Sequence, residues 1–217
     1  MQITPLHRCV LSALTACTLA MHPLALCAEE TPDPFQAAVQ AAKAQDFAQA
    51  ADLFEALAQA GDHDAQFNFA VLLKSGKGRP QHFAQALEWA LLAQLGGVTR
   101  ASTLSADLIE IVQAPALREI EGRIQERMQG RLARGDRDAV MQYVQLTREV
   151  LQKPDLEEAY LWTLLGSALG LPEAAAERDD IADELDIKTI AKVQDAARDL
   201  FVEEKMAERF AVPPADS

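Results

Sequence analysis

The chain has 217 residues, 49% of them apolar and only 6% aromatic, with 33 acidic against 20 basic side chains and a formal net charge of −13. That length suits one compact array or a single domain. The acidic balance makes nucleic acid and anionic membrane surfaces poor partners, favouring solubility and a basic partner instead. Runs of β-branched residues alternating with period two are absent, which argues against a sheet.

The first 28 residues read as a secretory signal. His7 and Arg8 end a short basic start, an apolar stretch runs from Cys9 to Ala20, and small residues precede Glu29. Cleavage is expected after Ala28, which places the protein in the periplasm or outside the cell. Pro23 and His22 interrupt the apolar run, so it is too short for a membrane-spanning anchor. A lipoprotein reading at Cys17 or Cys27 is the alternative. All three cysteines (Cys9, Cys17, Cys27) lie in this segment, so the mature chain has no internal disulfide to form. Cleavage removes one cation, Arg8, and no acid, taking the net charge from −13 to −14.

After a leader over 29–34, the helical-repeat region is expected to span 35–210, with a tail over 211–217. Helices are expected over Phe35–Ala44 and Asp46–Ala60, the latter with Phe47, Ala51, Phe54, Leu57 and Ala58 on one face. Gly61 stops that helix, and Asp62 or Asp64 caps the next, over Ala65–Lys74. Gly76 to Pro80 is a loop. Further helices are expected over Gln81–Leu95, Thr99–Val112 and Ala116–Gln129, with Gly130 and Gly135 breaking the chain. Then come Arg137–Leu151, Leu156–Leu169, a helix opened by Pro172 that runs to Leu185, and Ile187–Phe210.

Gly-x-x-x-Ala recurs four times, at Gly61 and Ala65, Gly97 and Ala101, Gly135 and Ala139, and Gly170 and Ala174, in steps of 36, 38 and 35 residues. Such a period marks a stacked helical repeat. The agreement extends well beyond the glycines. At an offset of 74, Gly61-Asp62-His63-Asp64-Ala65 faces Gly135-Asp136-Arg137-Asp138-Ala139, and Phe69 faces Tyr143. One residue then drops out, and at an offset of 73 Trp89 meets Trp162, Leu92 meets Leu165, Leu108 meets Ile181, Ile120 meets Val193 and Met128 meets Phe201. The chain reads as a duplicated unit of about four helices with a helical pair in front.

These motifs resemble the Sel-one-like (SLR) subfamily of tetratricopeptide-type repeats. The resemblance covers most of Ala44 to Leu200, with Ala70 and Val144 standing where the family prefers glycine. It implies an all-α fold: a short right-handed α-solenoid of stacked antiparallel helix pairs, duplicated about every 73 residues, and used for protein–protein contact. The helices after Ala101 and Ala174 run on as closing segments. Some secreted, cysteine-rich members of the subfamily are tied to cell-wall-related β-lactams, but this chain lacks their paired cysteines.

Chemistry-bearing residues are sparse. Trp89 and Trp162 occupy the same repeat position and are expected to fill the core. Lys74, Lys77 and Arg79 lie on an exposed basic turn that lacks phosphate-loop spacing and is a candidate partner contact. Arg123 and Arg127, with Arg131 and Arg134, share a face if the helix continues through Gly130. They then dock a carboxylate or pair with Glu119, Glu121 and Glu126. The acidic run from Glu173 to Asp186 has no EF-hand order and reads as a solvated face. His63 and His82 have no ligand neighbours, so no metal or other cofactor is expected. Gly166-Ser167-Ala168-Leu169-Gly170 is not a nucleophile elbow, and no catalytic set assembles. The expectation is a non-enzymatic adaptor of the bacterial envelope that holds a protein or peptide. The alternatives are a cell-wall ligand-binding protein or hydrolase, and a component of a secretion or polysaccharide-export assembly.

Overall fold

The computed structural model describes residues 33–211. The expected signal segment with its cysteines, most of the expected leader, and residues 212–217 lie outside the described residues. Eleven helices and no strand occur among the described residues: α1 (Pro34–Lys43), α2 (Phe47–Ala60), α3 (His63–Ser75), α4 (Phe83–Leu95), α5 (Thr99–Ile109), α6 (Ala114–Ala133), α7 (Asp138–Gln145), α8 (Leu156–Ala168), α9 (Ala174–Ala182), α10 (Ile187–Glu203) and α11 (Met206–Arg209). None of them is long and apolar enough to cross a membrane.

Side-chain caps fix most starts. Asp46 Oδ1 accepts from Gln49 N at 3.1 Å, Asp155 Oδ1 from Glu158 N at 3.0 Å, and Asp186 Oδ1 from Lys188 N at 2.9 Å. Asp62, not Asp64, caps α3, accepting from Ala65 N at 2.8 Å. His82 caps α4 through Nδ1, which accepts from Gln85 N at 3.1 Å.

Several boundaries differ from the sequence expectation. α6 runs unbroken through Gly130 and ends only at Arg134. One interior glycine costs a helix about 1 kcal/mol, and the stripe of Leu117, Ile120, Ile124, Met128 and Leu132, all buried, outweighs it. α9 begins at Ala174, with Pro172 in the turn before it, because Leu171 N is still closing the end of α8 on Gly166 O at 2.9 Å. The last expected helix is two: Lys205, at φ 48°, ends α10 and turns α11 back. α7 passes into a π-helical turn over Leu146–Val150. The reason lies in the duplication. Val150 stands where the first copy has Gly76 (φ 67°), and a β-branched residue is strained in that left-handed conformation, so the chain leaves its helix by widening instead.

Successive helices pack in order along the chain, and each copy gathers around one central helix. α4 carries α3, α5 and α6 around it; α8 carries α7, α9 and α10; α7 joins the copies by packing on α6 and α4. α5 and α6 thus close the first copy on α4, as α9 and α10 close the second on α8. At the heart of the copies are two matching aromatic pairs. Phe69 and Trp89 meet edge-on at 5.9 Å and 65°, and Tyr143 and Trp162 at 5.8 Å and 81°. Cross-links between helices also recur: Lys74 Nζ reaches Asp107 Oδ2 at 2.9 Å, and Arg148, at the matching position, pairs with Glu177 and Glu184.

The four repeat glycines all lie at positive φ. At Gly61 (φ 99°) a Cβ would meet nothing within 4 Å, whereas at Gly135 (φ 76°) it would lie 2.0 Å from Arg209 O. Gly61→Ala should therefore cost only the left-handed strain, roughly 1–2 kcal/mol. Gly135→Ala should cost more and displace α11, seen as a larger drop in the urea midpoint and new amide exchange in residues 206–210. The tryptophans differ as well. Trp89 is 7% exposed, while Trp162 is half-buried with Nε1 donating to Glu158 Oε1 at 3.0 Å. Trp89→Ala should cost about 3–5 kcal/mol and Trp162→Ala about 2 kcal/mol; the order of the two urea midpoints checks this.

Candidate functional site

The five candidate basic residues fall into two groups. Those of the α3–α4 turn are held within the chain. Lys74 pairs with Asp107, Lys77 Nζ lies 4.8 Å from the centroid of the Phe47 ring, and Arg79 binds Asp52 and Glu55. The hydrogen bond from Arg79 to Asp52, then that to Glu55, holds its guanidinium pKa above the ordinary value. The turn is pressed so close to the start of α2 that a Cβ on Gly78 would lie 1.8 Å from Phe47 O. This basic turn fastens the leading helical pair to the first copy.

The second group lies on α6. Because that helix continues through Gly130, Arg123, Arg127, Arg131 and Arg134 follow one side of it. Arg123 donates from Nε and Nη2 to Glu88 Oε2, at 2.9 and 2.8 Å. Arg131 donates from Nε to Asp136 Oδ2 at 2.7 Å and from Nη1 to Gln142. Arg127 stacks over Trp89, 5.4 Å from the ring centroid, and Arg134 folds its guanidinium back towards Gly130. Among the described residues, neither Arg127 nor Arg134 has a carboxylate within ion-pair distance.

Arg127, Arg131 and Arg134 form one wall of a cleft of about 380 Å³. The opposite wall is the end of α2 with Gln59 and Gly61, followed by His63 and Gln66 on the first turns of α3; Leu92 and Met128 form the apolar floor. Gln66, only 3% exposed, donates from Nε2 to Ala58 O at 3.2 Å and accepts from His63 Nδ1 at 2.9 Å. That bond orients the imidazole, whose ring rests against Gly96: a Cβ there would lie 2.0 Å from His63 Cγ. Asp136 and Asp138 stand at the α7 edge of the cleft. Burial alone would raise the Asp136 pKa, but the Arg131 hydrogen bond and charge, with backbone N–H donors from Ala139 and Asp138, hold it below the ordinary carboxylate value.

Two larger open troughs, of about 720 and 660 Å³, flank the second copy. Several of their charges are already satisfied: Lys192 by Glu157, Glu177 by Arg148, and Arg137 by the carbonyls of Leu169 and Phe210. The basic cleft keeps two arginines unpaired. His63 and Gln66 were not legible as cleft residues. Their only signal is that the aligned second copy carries Arg137 and Val140 there. Among the described residues, no group of three or more His, Cys, Asp and Glu is placed to hold a metal ion.

No described protein family matches the chain, and no curated protein does. Among solved structures it is similar to a protective antigen present in uropathogenic Escherichia coli strains that displays an SLR fold. The identity is 16% and the TM-score 0.38, over 85% of this chain and 33% of that one, so the chain spans about a third of that structure's length. Likeness at this level says nothing of what the chain binds.

Asp136 gives a test of the cleft's own electrostatics. A carboxyl whose pKa is lowered on folding stabilises above its unfolded value, near 3.9, and that contribution is lost as pH falls through the folded value. Asp136→Asn should be less stable than the parent at pH 7 by about 0.5–1 kcal/mol, a figure already reduced for solvent screening of a half-open pair. The gap should narrow progressively as pH falls below about 4. Urea midpoints of the two proteins across that range measure it.

Proposed function

We propose that this chain is a non-enzymatic interaction protein of the bacterial cell envelope, periplasmic or secreted after cleavage near Ala28, that holds a protein or peptide partner in the cleft beside Gly61. The observation that carries this reading is a pair of arginines, Arg127 and Arg134, left without carboxylate partners on the wall of a recess in a chain with 33 acidic side chains. A guanidinium with free donors in a recess is a recognition element: the donors set orientation, and Leu92 and Met128, buried beneath, give it a rigid apolar base. Sequentially packed helices give such a recess rigid walls.

The test is a photo-crosslinking residue at Gln59, on the cleft wall, with Asp195 on the exposed side of α10 as the control position. Irradiation of intact cells should yield one dominant adduct from position 59 and none from 195, and Arg127→Glu should abolish it. Equal adducts from both positions, or an adduct indifferent to Arg127→Glu, would overturn the reading.

A further inference from the structure

The duplication supplies a second junction to compare with the cleft. Gly135 matches Gly61, Arg137 matches His63, Val140 matches Gln66, Leu200 matches Arg127 and Phe201 matches Met128. At this second junction the recess is filled by the chain itself. α11 turns back so that Arg209 O presses on Gly135, and Arg137 Nη1 donates to Phe210 O at 2.9 Å. Met206 and Phe210, each 1% exposed, join the core cluster that holds Val140, with Leu200 and Phe201 packed against it. The occupant is a single helical turn with two apolar anchors and one oxygen acceptor turned to a cation.

At the first junction the same architecture is empty. Nothing approaches Gly61 within 4 Å of a notional Cβ, and the cleft of about 380 Å³ stands beside it. Its chemistry has changed in one direction. The apolar Val140 and Leu200 are replaced by Gln66 and Arg127, and Glu204 and Ala207 by Arg131 and Arg134. Three guanidiniums line a site whose twin has Arg137 on its wall and Arg209 on the occupant itself, paired with Glu204. Arg131 is spent on Asp136 and Gln142, leaving the donors of Arg127 and Arg134 for an incoming group. Asp138, exposed at the edge, is the one lining acid not engaged by an arginine side chain.

We infer that the cleft beside Gly61 takes a short acidic segment of a partner protein, docked as the C-terminal turn docks beside Gly135, with its carboxylates on Arg127 and Arg134 and an apolar side chain over Leu92 and Met128. This rests on the proposed binding function and narrows the partner. A carboxylate matches the guanidinium fork in two parallel hydrogen bonds. The chain's net negative charge does not prevent this, because at physiological salt fields beyond about 8 Å are screened and the local arginines dominate.

The experiment uses two blocked nonapeptide pools (acetylated and amidated). One is randomised over Asp, Glu, Leu, Met and Phe; the other carries Asn and Gln in place of the acids. Each is titrated into the purified chain and followed by the arginine Nε–H and backbone amide signals. The acidic pool should shift signals of Arg127, Arg134 and residues 59–66, bind at least about tenfold more tightly than the neutral pool, and weaken with added salt. The double change Arg127→Gln and Arg134→Gln alters two exposed side chains and should cost about tenfold or more, with signals of residues 187–197 on α10 unmoved. Equal binding of both pools, shifts located elsewhere, or unchanged affinity in the variant would overturn the inference. A specific adduct from Gln59 with no preference for the acidic pool keeps the binding function and rejects the acidic partner. Acidic-pool binding at the cleft without an adduct in cells supports the chemistry and rejects the partner-holding role.

Discussion

At Gly61 and Gly135 the backbone passes through φ of 99° and 76°, a region that costs any side chain roughly 1–2 kcal/mol. That conformation closes the preceding helix end: Asp62 N donates to Leu57 O at 3.0 Å, and Asp136 N to Arg131 O at 3.2 Å. It also reverses the chain at once, so that Asp62 caps α3 through Ala65 N, Asp136 Oδ1 accepts from Asp138 N at 3.1 Å, and the following helix returns along its predecessor. Phe69 then meets Trp89, and Tyr143 meets Trp162, across the next reversal in each copy, at residues 76–82 and 151–155. The recess beside each glycine follows from those two reversals, and the aromatic contacts from the turns that come after them.

Duplication then allows each copy to solve the same local problem differently. The first copy has glycines after α3, and its turn folds onto α2 through Lys77, Gly78 and Arg79. The second begins where α6 ends and has no leading pair of its own to fasten, so no glycine-rich turn is needed. It ends α7 in a π-helical turn that places Arg148 against Glu177 and Glu184. Cross-links of the same sense, cation on the earlier helix and acid on the later one, survive in both copies with different residues. This is packing conserved by position rather than by side-chain identity.

Much of this was legible in the sequence because it depends on local rules. The 3.6-residue apolar period, the repeat glycines and the aspartate caps are each decided within one turn of chain. What was not legible depends on competition with distant residues. Gly130 resembles a stop, but five buried side chains on the same helix keep the helix running through it. Lys205 carries no turn signal, yet it adopts φ 48° because Met206 and Phe210 find burial beside Gly135. The basic turn at Lys74 to Arg79 looks free in one dimension, whereas its acids arrive from α2 and α5. His63 and Gln66 become cleft residues only when α6 is laid alongside the end of α2. The whole-chain charge favoured a basic partner, and the cleft is a local exception to it.

The two recesses separate what the fold requires from what it leaves over. Beside Gly135 an apolar hollow would expose Val140, Leu200 and Phe201 to water, and α11 removes that cost by covering them. Beside Gly61 the wall is made of side chains that remain solvated without a cover, so the fold is complete while the recess stays open. Arginines placed there contribute little to stability, since exposed guanidiniums gain little even from ideal surface partners. Their value lies in what they do to an arriving group. A carboxylate entering the recess meets two sets of unused donors on a rigid helix and an apolar floor already desolvated by the core, so less ordering entropy opposes its capture than on a mobile loop.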